Sequence, residues 1–426
     1  MDRRGKEIKK IKYLIRKYNN KVPLNDIPIN SYVKTDSWFD IKESKNFEFC
    51  NNLNFEKNIN NDKIIKCKKI ILQPTKKQKK KLLEWLNSVR LIYNETIRIM
   101  RQRYYNKCKT ITSFITLRSM LKEKKKSLIK IYDTPTHILD SGIKLACISY
   151  KSAFTNFRNG NIRRFNIRFL KEKKDTHIMD IEKQYLGKDS ICLRKLGKKL
   201  LNKSNIKYNE ITKDCKLHYN KINDKFTLLV PEEVNKNIRT ENNSFMSIDP
   251  GVRTFLTCLS DDKHFEICNN IYRETKKLLL KIDDIKNNSK CKLKVKKIRQ
   301  KIKNKVDDLH WKSINYLMNQ NKNTIIIGKW STKNCISKKG SLPKMIKRVC
   351  SSMRYYNFLQ RLQYKCKIND VTLKIQNEAY TSKLCSKCGS LNKKLGSSKI
   401  FDCPKCKLNY DRDMNACRNI LMKSFV

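Results

Sequence analysis

The spacing of apolar residues predicts helices in the first half of the chain. A strand-like run at 64–73, IIKCKKIILQ, is followed by text that sets apolar side chains at helical intervals with a basic opposite face. That apolar stripe consists of Leu82, Leu86, Val89, Tyr93 and Ile97. Thr75 is a suitable N-cap, and Pro135 punctuates further helical text. We therefore expect a helical layer over 76–158.

A shorter, alternating pattern replaces the helical one between 165 and 231. RFNIRF, DSICLRKL, CKLHYN and KFTLLV are each typical of a short strand, and Asn223 and Asp224 supply a turn between the last two. The pattern predicts a small β domain, with a barrel as one option. The strand at 64–73 would complete it, in which case the helices over 76–158 are an insertion.

The last part of the chain mixes strands and helices. An apolar strand at 245–248 precedes Asp249, and a hairpin turn follows at 260–263. Basic helical text without Gly or Pro fills 272–321, before a buried-strand run at 324–327. Another helix, the strand VTLKIQ, a cysteine-rich module and a final helix complete the pattern. The order predicts a last domain that opens with a β-hairpin.

The first 62 residues carry weaker signals. Ile8, Ile11, Leu14 and Ile15 are interleaved with Lys and Arg, which indicates a basic amphipathic helix and lacks the continuous apolar core of a signal peptide. Asn-rich text with weak periodicity follows. We interpret 1–62 as an extension that contains little functional information.

Charge limits the classes of partner. Lys and Arg total 97 against 39 Asp and Glu in 426 residues, a formal net charge of +58. Such self-repulsion is hard to tolerate without a polyanion. A surplus of this size suits a long RNA better than one short DNA site, because each phosphate contact releases counterions. The alternative is a solubilising surface, but the partner we expect is nucleic acid.

Cysteine usage and hydropathy indicate the compartment. The chain has 17 cysteines, an odd number, and most are scattered without the pattern of a small disulfide scaffold. This distribution indicates a reducing, intracellular environment. No window approaches the ~20 consecutive apolar residues that a membrane span requires. We therefore expect no membrane partner.

Four cysteines form the strongest motif. The C-x2-C-x14-C-x2-C pattern consists of Cys385, Cys388, Cys403 and Cys406. Two such pairs can close a tetrahedral thiolate cage around Zn²⁺. Since all four positions are cysteine, no coordination site stays open and the zinc would be structural. Cys417 falls in the following helix and is interpreted as a buried small residue.

Two aspartates predict a second metal site. Asp249 ends an apolar strand, where a carboxylate is costly unless it meets a cation, although Asp-Pro-Gly is also ordinary turn chemistry. Asp413 shares one face of the C-terminal helix with Ala416, Cys417, Ile420 and Leu421. Carboxylates arranged in this way hold Mg²⁺ ions ~3.5–4 Å apart in two-metal phosphodiester cleavage.

Asp411 is interpreted differently from Asp413. It leads a stripe with Asn415, Arg418 and Asn419 that we expect to face solvent. Its predicted role is therefore a helix N-cap or a first-turn acid and not a metal ligand.

These motifs together resemble a known family. A strand ending in Asp with Pro-Gly next, the text YTSKLCSKCG, a second CxxC and DRDMNACRNIL are similar to the RuvC-like nuclease domain of TnpB proteins. These are transposon-encoded RNA-guided nucleases related to type V CRISPR effectors and to Fanzor proteins. KKIILQPTKKQKKKLLEWLNSVRLIYN resembles the family's entry strand and first recognition helix, so the resemblance covers 64–426. It implies a guide RNA that pairs with target DNA while protein contacts read a short flanking motif.

One position departs from the family pattern. TnpB proteins carry a catalytic Glu at the end of the second core strand, where TIIIGKW has Gly328. One explanation is an inactive protein. The other is that the acid has moved to Glu378, directly after the neighbouring strand, as is associated with Fanzor proteins, and that Gly328 leaves room for it. The resemblance then implies a catalytic, magnesium-binding set of Asp249, Glu378 and Asp413, while the alternative for Glu378 is a solvated loop acid.

Weaker candidates lie on helices. Arg90, Tyr93 and Asn94 resemble the family's recognition helix, which contacts the flanking DNA motif and the guide scaffold. Aromatic residues amid Lys and Arg suit base stacking, yet Tyr93 also fits the core stripe. His310 faces either nucleic acid or a packed helix.

The predicted fold is a multidomain α+β chain. An N-terminal wedge β-barrel with a helical recognition insertion precedes a C-terminal RNase H-like (RuvC) α/β domain, which contains an inserted four-cysteine zinc ribbon. The predicted regions are a basic extension at 1–62, a wedge barrel at 63–75 and 159–243, a recognition domain at 76–158, a nuclease domain at 244–384, a ribbon at 385–407 and a last helix at 408–426.

The expected activity is Mg²⁺-dependent, RNA-guided cleavage of DNA by a protein that a transposable element encodes. We expect two Mg²⁺ ions in the active site. The partners are a guide RNA and target DNA in a monomeric ribonucleoprotein, located in the nucleus of a eukaryotic host or in the host cell of a virus. One alternative is an inactive nucleic-acid-binding accessory or regulatory protein that lost cleavage with the acid at position 328. Another is a DNA transposase.

Overall fold

Two compact units make up the chain in the computed structural model. One unit is Ile65–Val234, and the other combines Met1–Ile64 with Asn235–Val426. The structure describes residues 3–18, 31–34, 38–44, 64–107, 112–197, 199–239, 243–337 and 342–425. Most of the Asn-rich text of the N-terminal extension lies outside these residues.

The helices and strands of the described residues are numbered in chain order. The helices are α1 (Arg3–Tyr18), α2 (Lys76–Tyr105), α3 (Phe114–Met120), α4 (Lys122–Tyr132), α5 (Thr136–Arg158), α6 (Leu193–Leu196), α7 (Ile271–Ile285), α8 (Lys292–Asn319), α9 (Thr332–Cys335), α10 (Lys344–Met353), α11 (Tyr355–Ile368) and α12 (Arg412–Lys423). The strands are β1 (Ser31–Lys34), β2 (Asp40–Glu43), β3 (Ile64–Gln73), β4 (Thr176–Ile181), β5 (Leu201–Asn202), β6 (Cys215–Asn220), β7 (Lys225–Val234), β8 (Phe245–Pro250), β9 (Leu256–Ser260), β10 (His264–Ile267), β11 (Thr324–Gly328), β12 (Thr372–Gln376), β13 (Ile400–Asp402) and β14 (Asn409–Asp411). None of these helices is both long enough and apolar enough to span a bilayer.

A five-stranded sheet and a helical layer form the unit Ile65–Val234. The sheet has the order β4-β6-β7-β3-β5, so β3 lies beside β7 and the helices α2 to α5 are inserted between two of its strands, as predicted. Thr75 caps α2 through a capping box with Gln78. The predicted apolar stripe of α2 is buried along its whole length. Closure of this sheet into a wedge barrel stays a prediction.

Two of the strand predictions for this unit are wrong. RFNIRF is not part of a strand, and side chains of α2 bond instead to the backbone of its Ile167 and of Leu170, which follows it. In DSICLRKL, Ile191 makes only an isolated bridge to Leu186, and the backbone then turns at Cys192 (φ 48°) into the short helix α6. The strand β4, with the sequence THIMDI, takes the place that RFNIRF was expected to fill.

A seven-stranded mixed sheet forms the centre of the other unit. Its order is β1-β2-β10-β9-β8-β11-β12. The hairpin β8, β9 and β10 is antiparallel, whereas β11 and β12 run parallel to β8. Both the opening hairpin and the pairing of β11 with β12 agree with the sequence prediction.

Alternation along β8 sends its side chains to two different layers. Met246 and Ile248 pack into a core with α7, α8, α10 and α11. Phe245 packs on the opposite face, with α1 and α12. Because successive residues of a strand point to opposite faces, Asp249 shares the face of Phe245 and is directed towards the α12 layer.

The N-terminal residues belong to this sheet. Strand β2 pairs with β10, which extends the sheet to β1 at its edge. The predicted amphipathic helix is confirmed as α1, in which Ile11 and Ile15 are fully buried against α12. The weak sequence pattern of the extension did not indicate these sheet contacts.

Candidate metal centres

Asp249 lies near the end of the buried strand β8, as its sequence context predicted. Its neighbours along the strand, Ser247 and Ile248, are fully buried. Burial raises the pKa of the Asp249 carboxyl well above its usual value, and the nearby negative charges of Asp413 and Glu378 raise it further. The structure thus brings the three acids into one electrostatic neighbourhood, in which a bound cation would relieve the repulsion.

Glu378 occupies space that a side chain at position 328 would need. Gly328 ends β11 and is paired in parallel register with Gln376. A Cβ atom added at Gly328 would lie 2.7 Å from Cγ of Glu378 and closer still to its Oε1. Glu378 is therefore not a solvated loop acid, because its side chain lies over the end of the neighbouring strand.

Glu378 Oε1 has no hydrogen-bond partner although it is buried. Burial raises the pKa of Glu378 to about 7, with a smaller contribution from Cys335. The turn that follows is fixed by Thr381, whose amide and hydroxyl groups both donate to the Glu378 carbonyl oxygen at 3.2 and 2.9 Å. A buried carboxylate oxygen without a donor is costly, and metal coordination is one way to satisfy it.

Asp411 and Asp413 have the separate roles that their spacing predicted. The Asp411 side chain accepts the backbone N–H groups of Asp413 (2.9 Å) and Met414 (3.0 Å), so it is the N-cap of α12. Burial raises the pKa of Asp413, and the charge of Asp411 raises it further. Among the described residues, the Asp413 carboxylate makes no hydrogen bond, and the charge of Glu266 also raises its pKa.

The prediction that the rest of the Asp411 stripe faces solvent is wrong. Asn415, Arg418 and Asn419 are all fully buried. Asn415 and Asn419 each donate to the carbonyl oxygen of Leu384 at 2.8 Å, and Arg418 donates to Ser386 Oγ at 3.2 Å. Helical periodicity cannot distinguish a polar face that lies in solvent from a polar face that is buried and hydrogen-bonded. These three residues form a face of the second kind.

The three carboxylates do not form a closed ligand cage. Among the residues that the structure describes, the four cysteines are the one group of three or more candidate ligands whose atoms all lie within 4.8 Å of one another. The acids interact over longer distances, through the electrostatic effects on the pKa of Asp249. Their assignment as joint magnesium ligands is therefore a proposal.

Two residues near the acids were missed by the sequence argument. Glu266 is buried in β10 and contributes to the raised pKa of Asp413. It lies in the same cross-strand row as Asp249, because both pair with Thr257. Lys399 Nζ lies 3.6 Å from Glu266 Oε1 and 3.9 Å from Asp411 Oδ2. The sequence signal for Glu266 was its position inside the short apolar strand HFEI.

Tyr355 contacts the segments that follow β8 and β11. Its hydroxyl donates to the carbonyl oxygen of Gly251, two residues after Asp249. Its ring lies between Phe255 and Trp330, with centroid distances of 5.6 and 4.7 Å. The tyrosine therefore stabilises the turn after β8, and the sequence contained no signal for this contact.

The four predicted cysteines converge as two pairs of sulfur atoms. Cys385 Sγ lies 3.6 Å from Cys406 Sγ, and Cys388 Sγ lies 3.5 Å from Cys403 Sγ. Tetrahedral coordination at a Zn–S distance of about 2.3 Å requires sulfur atoms about 3.8 Å apart. The cluster can therefore hold one metal ion of that size with little movement.

The backbone of each cysteine pair turns in the same way. The residue after each pair, Gly389 or Lys407, has a positive φ of 71° or 59°. The amide N–H groups of Lys405 and Cys406 point at Cys403 Sγ, both at 3.4 Å. Although burial raises it, these N–H groups bring the pKa of Cys403 down to about 7, which favours the thiolate that a metal needs.

Cys417 and His310 have packing roles. Cys417 is fully buried, and its thiol donates to the carbonyl oxygen of Thr257 at 3.0 Å, in agreement with its interpretation as a small core residue. His310 is also fully buried and bonds to the Met353 carbonyl oxygen at 2.9 Å. Neither side chain is available to nucleic acid.

The three candidate nucleic-acid contacts on α2 have local partners. Tyr93 lies in a hydrophobic core, so its ring cannot stack on a base unless that core opens. Asn94 exchanges two hydrogen bonds with the backbone of Leu170, at 3.0 and 2.7 Å. The Arg90 guanidinium binds Asn87 Oδ1 at 2.7 Å but is partly exposed. A contact with nucleic acid stays a prediction for all three residues.

Family models match two regions of the chain. A model described as "Cas12f1-like, TNB domain" matches residues 355–420, which include Glu378, the four cysteines and Asp413. A model described as "Helix-turn-helix domain" matches residues 64–109, which contain β3 and α2. A solved structure of a Cas12f1 complex with single-guide RNA and target DNA is similar at 14% identity and a TM-score of 0.48, over 81% of this chain and 83% of that one.

Whole-chain relatives come from a giant virus. TnpB-like protein L770 of Acanthamoeba polyphaga mimivirus is 33% identical over 96% of this chain and 82% of its own length. TnpB-like protein R854 of the same virus is 34% identical over 84% of this chain and 72% of its own length. Identity at this level over nearly the whole chain, together with the cysteine and acid motifs, shows that the chain belongs to the TnpB-like family.

Proposed function

We propose that this chain is an RNA-guided, Mg²⁺-dependent DNA endonuclease of a transposable element. Asp249, Glu378 and Asp413 are its metal ligands. The observation that supports this most is the complementary pair Gly328 and Glu378, because the residue that lacks a side chain lies beneath the buried carboxylate. An acid lost through decay of the site would not need a replacement that fills the same space.

The oxygen atoms of the three carboxylates are chemically suited to bind Mg²⁺. Hard carboxylate oxygens are the ligands that this ion prefers, and the buried Glu378 Oε1 lacks a hydrogen-bond donor. When bound, the ions would polarise the scissile phosphate and lower the pKa of a water molecule. Asp249 supplies a carboxylate from β8, Glu378 one from the end of β12 and Asp413 one from the first turn of α12.

The four cysteines would hold a structural Zn²⁺. The strands β13 and β14 of this module lead directly into α12. Arg412 donates its backbone N–H to the Lys399 carbonyl oxygen at 2.8 Å, which connects the module to the first turn of the helix. A zinc ion held there would therefore help to fix the position of Asp413 and would take no part in the chemistry.

The partners of the proposed enzyme are a guide RNA and the target DNA that pairs with it. The net charge of +58 is consistent with a monomeric ribonucleoprotein in which RNA neutralises most of the surplus. The resemblance to TnpB proteins is the basis of the proposed guide function, and the proposed relocation of the acid to Glu378 favours the Fanzor subgroup. Its location would be the nucleus of a eukaryotic host or the host cell of a virus.

A non-catalytic role is the second candidate, and Gly328 is the observation that favours it. An accessory or regulatory protein would bind RNA and DNA but leave both strands intact, and a transposase would join DNA ends. The purified protein should therefore be isolated with its copurifying RNA, the RNA sequenced, and matching DNA incubated with and without Mg²⁺. Mg²⁺-dependent cuts in the matched DNA alone support the nuclease, and intact bound DNA supports the alternative.

A further inference from the structure

The segment 161–175, which connects α5 to β4, has an unusual local structure. It contains no helix or strand, yet its part between Phe165 and Leu170 is held against the helical layer. Phe165, Ile167 and Leu170 pack against the core of that layer. Phe165 also makes an edge-on contact with Phe154 at a centroid distance of 5.0 Å.

Two polar residues of α2 hold the backbone of this segment. Asn94 donates to the Leu170 carbonyl oxygen and accepts the Leu170 N–H. Arg101 donates to the Ile167 carbonyl oxygen at 2.7 Å, and its guanidinium lies 4.5 Å from the centroid of the Phe169 ring. Side chains of α2 thus hold the backbone in place of a partner strand, and the arginines of the segment lie on its exposed side.

The solvent side of the segment is rich in arginine. Arg163, Arg164 and Arg168 are exposed, as is Arg158 at the end of α5. The whole chain has 97 Lys and Arg, of which only 22 are Arg, so four within 158–168 is a strong local enrichment. A uniformly basic surface in this lysine-rich chain would have shown lysines here.

These four arginines also differ from others in their pairing. Arg348, Arg354 and Arg361 are each bonded to an aspartate. Within the described part of the chain, no carboxylate lies within ion-pair distance of Arg158, Arg163, Arg164 or Arg168. Their guanidinium groups remain available to an external anion.

Arginine combined with exposed rings is suited to one kind of ligand. The planar guanidinium binds phosphate through two hydrogen bonds and stacks on bases, which the lysine ammonium cannot do. Phe157 and Phe169 keep 51% and 45% of their surface exposed beside the arginines. Aromatic faces next to backbone-binding cations are the surface on which unpaired bases stack, and unpaired loops and bulges are where proteins recognise RNA.

We propose that Arg158, Arg163, Arg164 and Arg168, with Phe157 and Phe169, form a binding surface for an unpaired stretch of RNA. The inference rests on the proposed function only in taking RNA as a partner, and it holds whether or not the acids cut DNA. In this proposal the RNA backbone runs along the segment, the arginines bind its phosphates, and the two rings stack with bases.

The test uses the full chain with Asp249→Ala, so that cleavage cannot affect binding. Affinity for a labelled, unstructured single-stranded RNA is measured over a series of salt concentrations with Arg163, Arg164 and Arg168 changed to Gln. Each lost phosphate contact lowers the slope of log affinity against log salt by about 0.7 for a single strand. The triple variant should therefore show a slope smaller by about 2 and an affinity at least about tenfold weaker at low salt.

Two matched variants make the result specific. Changing the exposed Lys199, Lys203 and Lys207 of the same unit to Gln removes equal charge elsewhere and should reduce the slope much less. Changing the three arginines to Lys keeps the charge but removes the planar group, so the slope should persist while affinity falls. Unchanged far-ultraviolet circular dichroism would show that each variant is folded, as expected for exposed positions.

The proposal is overturned if the arginine and lysine triple variants lose the same slope, since the surface would then be an ordinary part of a basic exterior. It is also overturned if the arginine variant weakens binding of single-stranded DNA of the same sequence but leaves RNA binding unchanged. Full binding by the Arg-to-Lys variant would remove the argument for arginine and contradict the proposal as well.

Discussion

Gly328 and Glu378 occupy one volume at the ends of two neighbouring parallel strands. A Cβ atom at 328 would lie 2.7 Å from Cγ of Glu378, and position 328 is paired with Gln376, two residues before the acid. The strand ends thus address the same space, which can accommodate a side chain from one of them. We therefore infer that the acid comes from the end of β12, and that the glycine at the end of β11 leaves the space that its side chain occupies.

The change Gly328→Ala should therefore displace Glu378. We expect cleavage to fall by about 10²-fold, since a displacement of about 1 Å at a reacting group has that effect, while guide binding stays unchanged. Gly5→Ala in α1, where an added Cβ meets nothing within 4 Å, is the matched control. Cleavage by Gly328→Ala at the rate of the Gly5→Ala protein would show that the two residues are not coupled.

The sequence predicted the strands of the acid site well because their signals are local. The buried runs that became β8 and β11, and the cysteine spacing, each depend on residues close together in the chain. The Gly328 and Glu378 relation was also within reach, because parallel neighbouring strands end at one edge of a sheet. Here the departure from a family pattern was more informative than agreement with it.

Asp413 and Asp411 should respond differently to the same substitution. Asp413→Asn should reduce cleavage by at least about 10²-fold, the scale seen when one charge-stabilising group is lost. Asp411→Asn should retain most cleavage, because Asn is nearly as good an N-cap as Asp and Asp411 bonds to backbone N–H groups. Cleavage rates of the two purified proteins with the same guide provide the measurement. An essential Asp411 with a dispensable Asp413 would refute the assignment.

Contacts that depend on distant chain segments could not be predicted. Asn415 and Asn419 are buried because the loop before Cys385 offers a carbonyl oxygen to both, and nothing in the helix sequence indicates that loop. Likewise, RFNIRF alternates like a strand, but its Ile167 carbonyl oxygen accepts from Arg101, and Asn94 holds Leu170 directly after it. Periodicity shows which residues share a face, whereas the partner of that face is a tertiary property.

The cysteine cluster should bind one zinc ion per chain. Cys403→Ser should lose that ion and lower the thermal stability of the unit that contains it, since the free energy of metal binding contributes directly to folding. Cys67→Ser, at an exposed cysteine outside the cluster, is the control. Metal analysis of the two purified proteins measures the difference. Far less than one zinc in folded wild-type protein would contradict the assignment.

The stability of the metal-free protein should fall as pH rises from about 4.5 to about 7. Burial raises the pKa of Glu378 from 4.5 to about 7, so the folded state keeps a proton there that the unfolded chain releases. This contribution is fully present below pH about 4.5, is lost as pH rises to about 7, and amounts to at most about 3 kcal/mol. Urea unfolding without metal at pH about 5 and about 8 measures it. Glu378→Gln should show a smaller fall, and an equal fall in both proteins would exclude Glu378 as its source.

The most direct test of the relocated acid is Glu378→Gln, which removes the charge at nearly constant size. We predict that cleavage of matched DNA falls by at least about 10²-fold, while RNA and target binding change little and the exposed Glu123→Gln control cuts normally. Adding Gly328→Glu to Glu378→Gly, which empties the shared volume, should restore part of the activity that Glu378→Gly alone loses. Near-normal cutting by Glu378→Gln alone would contradict the central claim that this residue supplies the third carboxylate.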